Sequence, residues 1–163
     1  MAVTESRGVY KGQPARSDTV KFKRDFQGIP VQIERPRGFV MMGTDEKGKH
    51  WVRRYKNDYG HIPRTLGGDH EGLDVFIGPK PKSEHAFWAV QRFPDGTFDE
   101  YKVFLGFSNR DEAVACYRAH IPKRLMAGMM TMRIDMMKAM LGKNPEHLLK
   151  TSMAYWLMEA LSP

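Results

Sequence analysis

Short stretches of alternating apolar and polar residues run along the chain as far as Leu105, and helical spacing replaces them from Ser108 onward. Ile29–Ile33 alternates, with Pro30 suited to an edge or to a strand start. Gly38–Met42 and His50–Tyr55 flank the turn-rich Gly43–Gly48 and predict a hairpin. Leu73–Ile77 predicts a short strand closed by Gly78 and Pro79. Ala86–Val90 and Phe98–Leu105 lie on either side of Pro94-Asp-Gly-Thr97 and predict a second hairpin. Ser108 to Asp111 supplies an N-cap and an acidic first turn, and Ala113, Val114, Tyr117 and Arg118 continue a helix to about His120 before Pro122 blocks it. Residues 131–141 predict a second helix. Residues 145–161 predict a third, with Leu149, Met153, Trp156, Leu157 and Leu161 at helical spacing. Strands first and helices afterwards mean α+β, expected as a small twisted five-stranded OB-like β-barrel with C-terminal helices packed against it.

The 163 residues suit one domain of ordinary size. Residues 1–27 are polar, basic and aperiodic and read as an extended arm, either loose or ordered against a partner. Residues 28–142 form the expected barrel with its helices, and 143–163 an amphipathic helix that either caps the same domain or docks on a partner. Most of the 12 methionines lie between Met126 and Met158, as core filler or as an adaptable binding surface.

Composition narrows the classes. No apolar run approaches the ~20 residues that span a membrane, and the opening Met-Ala-Val-Thr-Glu-Ser-Arg-Gly lacks the apolar core of a secretory signal. The single Cys116 allows no internal disulfide and no thiolate zinc site, which fits a reducing cytosol. Lys and Arg outnumber Asp and Glu by 26 to 19, a net +7, which favours anionic partners: phosphate compounds, nucleic acid or an acidic protein surface. No nucleic-acid recognition motif accompanies that charge.

Candidate chemistry concentrates in Tyr59–Gly78. Asp69, Glu71 and Asp74 stand among Gly67, Gly68 and Gly72, and glycines let a loop fold sharply enough for carboxylates to converge. Asp74 begins a strand, a rigid mount for one ligand. Convergent carboxylates without cysteine suit a hard cation, Mg²⁺ or Mn²⁺. Asp95, Asp99 and Glu100 form a second acidic group on the later hairpin, with Lys102 two residues on; Asp95 and Asp99 also suit turns. Carboxylates that hold metal, beside cations that hold phosphate, are what phosphoryl transfer to water requires.

The order Ile33-Glu-Arg-Pro-Arg-Gly38, Gly43-Thr-Asp45, Asp58-Tyr-Gly60, Asp69-x-Glu-x-x-Asp-Val-Phe-Ile-Gly78, Phe98-Asp-Glu-Tyr-Lys-Val103 and Leu105-Gly-Phe-Ser108 resembles the soluble inorganic pyrophosphatases, whose hallmark is Asp-Gly-Asp-x-x-Asp. More particularly, it is similar to the pyrophosphatase-like domain of bacteriophage and prophage proteins. The resemblance covers about residues 29–141. It implies a twisted barrel and Mg²⁺-dependent hydrolysis of pyrophosphate. Asp69, Glu71, Asp74, Asp95 and Glu100 match metal ligands, and Lys102 matches a phosphate-binding lysine. Glu34, Tyr59, Tyr117 and Lys123 fall at phosphate-site positions. Glu71 is the expected base, with Lys102 and Tyr55 stabilising charge on the leaving phosphate.

The sequence departs from the hallmark at three places. Glu71 replaces an aspartate, moving its carboxylate by about 1.5 Å. Met41 stands where a basic contact is expected and offers an anion no donor. His61 replaces a tyrosine. Three functions follow: the hydrolase, possessed of full or weakened turnover; a virion-associated or structural protein reusing the fold, with its arm and last helix on virion proteins or on another copy; and a nucleic-acid binder. Host cytoplasm or the phage virion is the expected location.

Overall fold

The computed structural model describes residues 22–63, 72–121 and 125–141. Among these residues, nine strands and two helices follow in the order β1 (Phe22–Phe26), β2 (Ile29–Arg35), β3 (Val40–Thr44), β4 (His50–Arg54), β5 (Asp58–Ile62), β6 (Leu73–Ile77), β7 (His85–Arg92), β8 (Phe98–Leu105), α1 (Arg110–His120), β9 (Met126–Arg133) and α2 (Ile134–Leu141). Seven strands form one sheet in the order β1-β2-β5-β6-β8-β7-β9, while β3 and β4 pair separately as a hairpin. Neighbours are antiparallel except β6 and β8, which run parallel. No helix among the described residues is long and apolar enough to cross a membrane.

Both faces of the central strands are covered, so Leu73–Ile77 reads as a nearly unbroken apolar run. Val75, Val103 and Trp88 point to one side, where Ile134 and Met137 of α2 join them. Phe76, Phe104 and Phe87 point to the other, against Ala113, Val114, Cys116 and Tyr117 of α1. Asn109 caps α1 by accepting from the Glu112 amide, with Asp111 and Glu112 in the first turn.

The sheet is curled: Phe26 and Ile29 from one margin share a core with Met132 from the other and with Met137 of α2. Its described strands nevertheless end in two margins, β1 and β9, rather than closing into the expected five-stranded OB-like barrel. Two segments widen it. Phe22–Phe26, within the stretch expected as an arm, pairs along β2, anchored by buried Phe26. Met126–Arg133 pairs along β7, so residues 131–133, expected to open a helix, are strand, and α2 starts at Ile134.

Strand β5 was absent from the expected pattern because Asp58-Tyr-Gly-His-Ile62 has little apolar content. Close approach explains its glycine: a Cβ on Gly60 would lie 1.9 Å from the Gln32 carbonyl oxygen of β2. Arg24 also pairs with Asp58 and the Arg37 amide donates to it at 2.8 Å, fastening the start of β5.

Candidate active site

The polar residues gather on the α1 face of the sheet, beyond the end of its aromatic core. Strand alternation puts Tyr59 and His61 of β5, Asp74 and Phe76 of β6, Glu100, Lys102 and Phe104 of β8, and Phe87, Ala89 and Gln91 of β7 on this face. Register aligns them across strands: His61 opposite Asp74, Asp74 beside Lys102, and Glu100 opposite Gln91.

Lys102 is the hub. Its ammonium lies 2.5 Å from Asp74 Oδ2 and 2.9 Å from Glu100 Oε1, and the residue is buried. Burial alone would drive its pKa down, but the carboxylates of Asp74 and Glu100 more than reverse this and hold it well above the ordinary lysine value. Tyr59 donates to the same Asp74 oxygen at 2.7 Å; burial, then the Asp74 charge, pushes its phenol well up. Lys102 is therefore a cation and Tyr59 a neutral donor at neutral pH.

Around this hub stand further cations and rings. The Arg35 guanidinium is 5.7 Å from the Tyr55 ring centroid and 5.5 Å from that of Tyr59, and the two rings are 5.6 Å apart. Glu34 faces His61 at 3.4 Å, set at the bulge between Ile33 and Arg35. Tyr55 is buried and its hydroxyl lies 3.7 Å from the Met41 sulfur, so the position expected to be basic carries a weak acceptor for a tyrosine instead. Burial, with Arg53 and Lys56 nearby, lowers the pKa of His120. Its Nε2 accepts from the Lys56 amide at 3.0 Å while Nδ1 lies 2.7 Å from the Cys116 carbonyl, so it is a neutral strut.

The second acidic group divides. Asp95 sits exposed at the hairpin turn and accepts from the amide and hydroxyl of Thr97, at 2.9 and 2.6 Å, which lower its pKa. Asp99 is buried beside Glu100, and Gln91 Nε2 donates to both, at 2.8 and 3.2 Å. Tyr117, wholly buried, donates to Gln91 Oε1 at 2.9 Å, so its hydroxyl braces this network.

The structure thus brings together Tyr59, Asp74, Glu100 and Lys102 from the sequence candidates, with Tyr55 and Glu34 along the neighbouring strands. Asp69, Glu71 and Lys123 lie outside the described residues. Gly72, immediately after Glu71, has φ +112°, and a Cβ there would meet both the His61 ring and the Ile62 carbonyl at 2.9 Å. Only glycine fits at this entry to β6. Asp99 belongs to the second acidic group of the sequence, where it also suited a turn; Gln91 is the addition, and a glutamine ending the apolar Ala86–Val90 run is its visible signal. Arg35 lay within the Ile33–Gly38 motif without being singled out.

Among the described residues, no group of three or more His, Cys, Asp or Glu side chains is arranged to hold a metal ion. The donor chemistry still fits a hard divalent ion, because Asp74 and Glu100 offer only carboxylate oxygens and no cysteine competes nearby. The family model described as Inorganic Pyrophosphatase matches residues 4–142. No curated protein and no solved structure matches the chain.

Proposed function

Because the chain belongs to the inorganic pyrophosphatase family, we propose that it hydrolyses pyrophosphate, or a related phosphoanhydride, with Mg²⁺ as cofactor. The observation that carries this reading is the buried Lys102 ammonium held between Asp74 and Glu100, a fixed cation on a strand beside carboxylates of the right kind. Asp74 and Glu100, with Asp69 and Glu71, would hold the metal. When bound, Mg²⁺ lowers the pKa of a coordinated water and neutralises phosphate charge.

The remaining roles fall to the chain itself. Lys102 stabilises negative charge on the phosphate oxygens, and its fixed position avoids reorganisation during reaction. Tyr59 donates to Asp74 and orients it. Arg35, beside both tyrosines, adds positive charge at the rim. Glu71 accepts or positions the water's proton.

The test is phosphate release from pyrophosphate with Mg²⁺, comparing the parent with Asp74→Asn and Lys102→Met. Turnover in the parent and its loss in both variants is the expected result; background rates in all three reject the proposal. A structural or virion-associated protein with little turnover is the second reading. It is favoured by Tyr55 facing the Met41 sulfur and by Asp95 bonded within its own turn. Detecting the chain in purified particles, together with background hydrolysis, would support it.

A further inference from the structure

We propose that Gln91 is a positioning residue for this site, holding Asp99 and Glu100 side by side and thereby setting Glu100 against Lys102. Four observations point to it. Gln91 is fully buried, 0% exposed, directly after the apolar Ala86–Val90 run of β7. Its amide nitrogen donates to Asp99 Oδ2 at 2.8 Å and to Glu100 Oε1 at 3.2 Å. Its carbonyl oxygen accepts from Tyr117 at 2.9 Å, which ties the pair to α1. Finally, Glu100 Oε1 is the same oxygen that faces Lys102 Nζ at 2.9 Å.

The backbone explains why such a residue is needed. Asp99 and Glu100 are successive on β8, and regular alternation would send them to opposite faces. The β7–β8 register shifts here, from Gln91 opposite Glu100 to Arg92 opposite Phe98, so the strand carries an extra residue. The shift turns both carboxylates toward Gln91. Two like charges at that spacing repel, and a carboxamide has the two N–H donors that answer them. The amide orientation follows from the same chemistry: reversed, it would aim a carbonyl oxygen at two carboxylates. Glutamate would add a third negative charge, and methionine would remove the donors while keeping the length.

Gln91 touches neither phosphate nor metal in this assignment; it acts through Glu100. Groups that orient metal-site residues typically carry about 10- to 100-fold in metal affinity or activity. The kinetic part rests on the hydrolase reading, whereas the spectroscopic part does not. In the full chain labelled with ¹³C, the Lys102 Cε–Hε signal is assigned by its loss in Lys102→Arg. Gln91→Met is expected to move that signal in the same direction as Glu100→Gln does. It should also weaken Mg²⁺ binding, measured by calorimetry without pyrophosphate, by about tenfold. In turnover, kcat should fall about 10- to 100-fold with KM changed far less. Gln91→Glu gives a second variant of native length should Gln91→Met not fold. An unmoved Lys102 signal in a folded variant overturns the proposal, whatever the melting temperature does. A moved signal in a chain that never releases phosphate sustains the positioning role and rejects only the hydrolase reading.

Discussion

The two faces of the seven-stranded sheet are built from the same strands but do opposite work. On β8, Val103 and Leu105 point into an apolar core that α2 joins, while Glu100, Lys102 and Phe104 point the other way. The first face contains Trp88, Val75 and Ile33 and reads as pure packing. The second places an aromatic core beside a row of charge, and Tyr117 of α1 reaches that row through Gln91. Low polarity next to Lys102 strengthens each of its interactions and raises the cost of leaving any one unmade. Packing and chemistry are thus divided between faces, one residue apart along each strand.

That division can be broken from either side. The largest effect belongs to the charged face: Lys102→Met should lower phosphate release by about 10²- to 10³-fold and, by leaving Asp74 and Glu100 without their shared cation, destabilise the fold by about 3–5 kcal/mol in urea titrations. Trp88→Ala, on the packing face, should cost a similar ~3–5 kcal/mol, yet leave kcat within about twofold at temperatures where it remains folded. Loss of turnover there would erase the distinction between faces. Gly60→Ala forces a side chain onto the Gln32 carbonyl and should cost about 1–3 kcal/mol, read as a lower melting temperature.

A smaller effect concerns pH. The His120 pKa is lowered in the fold, so unfolding takes up a proton below the free-histidine range. Its contribution is fully present above a pH of about 6.5 and is lost as pH falls through the lowered value. His120→Gln should flatten that part of a stability–pH curve. The smallest expected change sharpens the site itself. If Asp95 serves only its turn, Asp95→Asn should leave kcat near that of the parent, whereas Glu100→Gln should lower it; equal losses would place Asp95 among the metal ligands.

Much of this arrangement was legible in the residues. The bounds of β6 follow from the mainly apolar Leu73–Ile77, and those of β8 from the Pro94-Asp-Gly-Thr97 turn before it and the apolar Val103–Leu105 that ends it. Helix α1 ends at His120, as Pro122 required. The margins were harder. β1 keeps only one buried residue, Phe26, beside exposed Phe22 and three charged residues, and β9 is so rich in methionine that its period is ambiguous with the helix behind it. In the site, Asp74, Glu100 and Lys102 were readable as types at spacings. The Gln91–Asp99 contact was not, since it depends on a register shift that no linear spacing displays.

The parallel pairing of β6 and β8 sets Asp74 beside Lys102, and this has a consequence for how accurately the chain folds. Sliding one strand past the other by a single residue would carry the ammonium into the valine-lined side and strand it there without an anion. Every such mistake is penalised by several kcal/mol before any substrate arrives. The charged pair therefore proofreads the sheet that carries it.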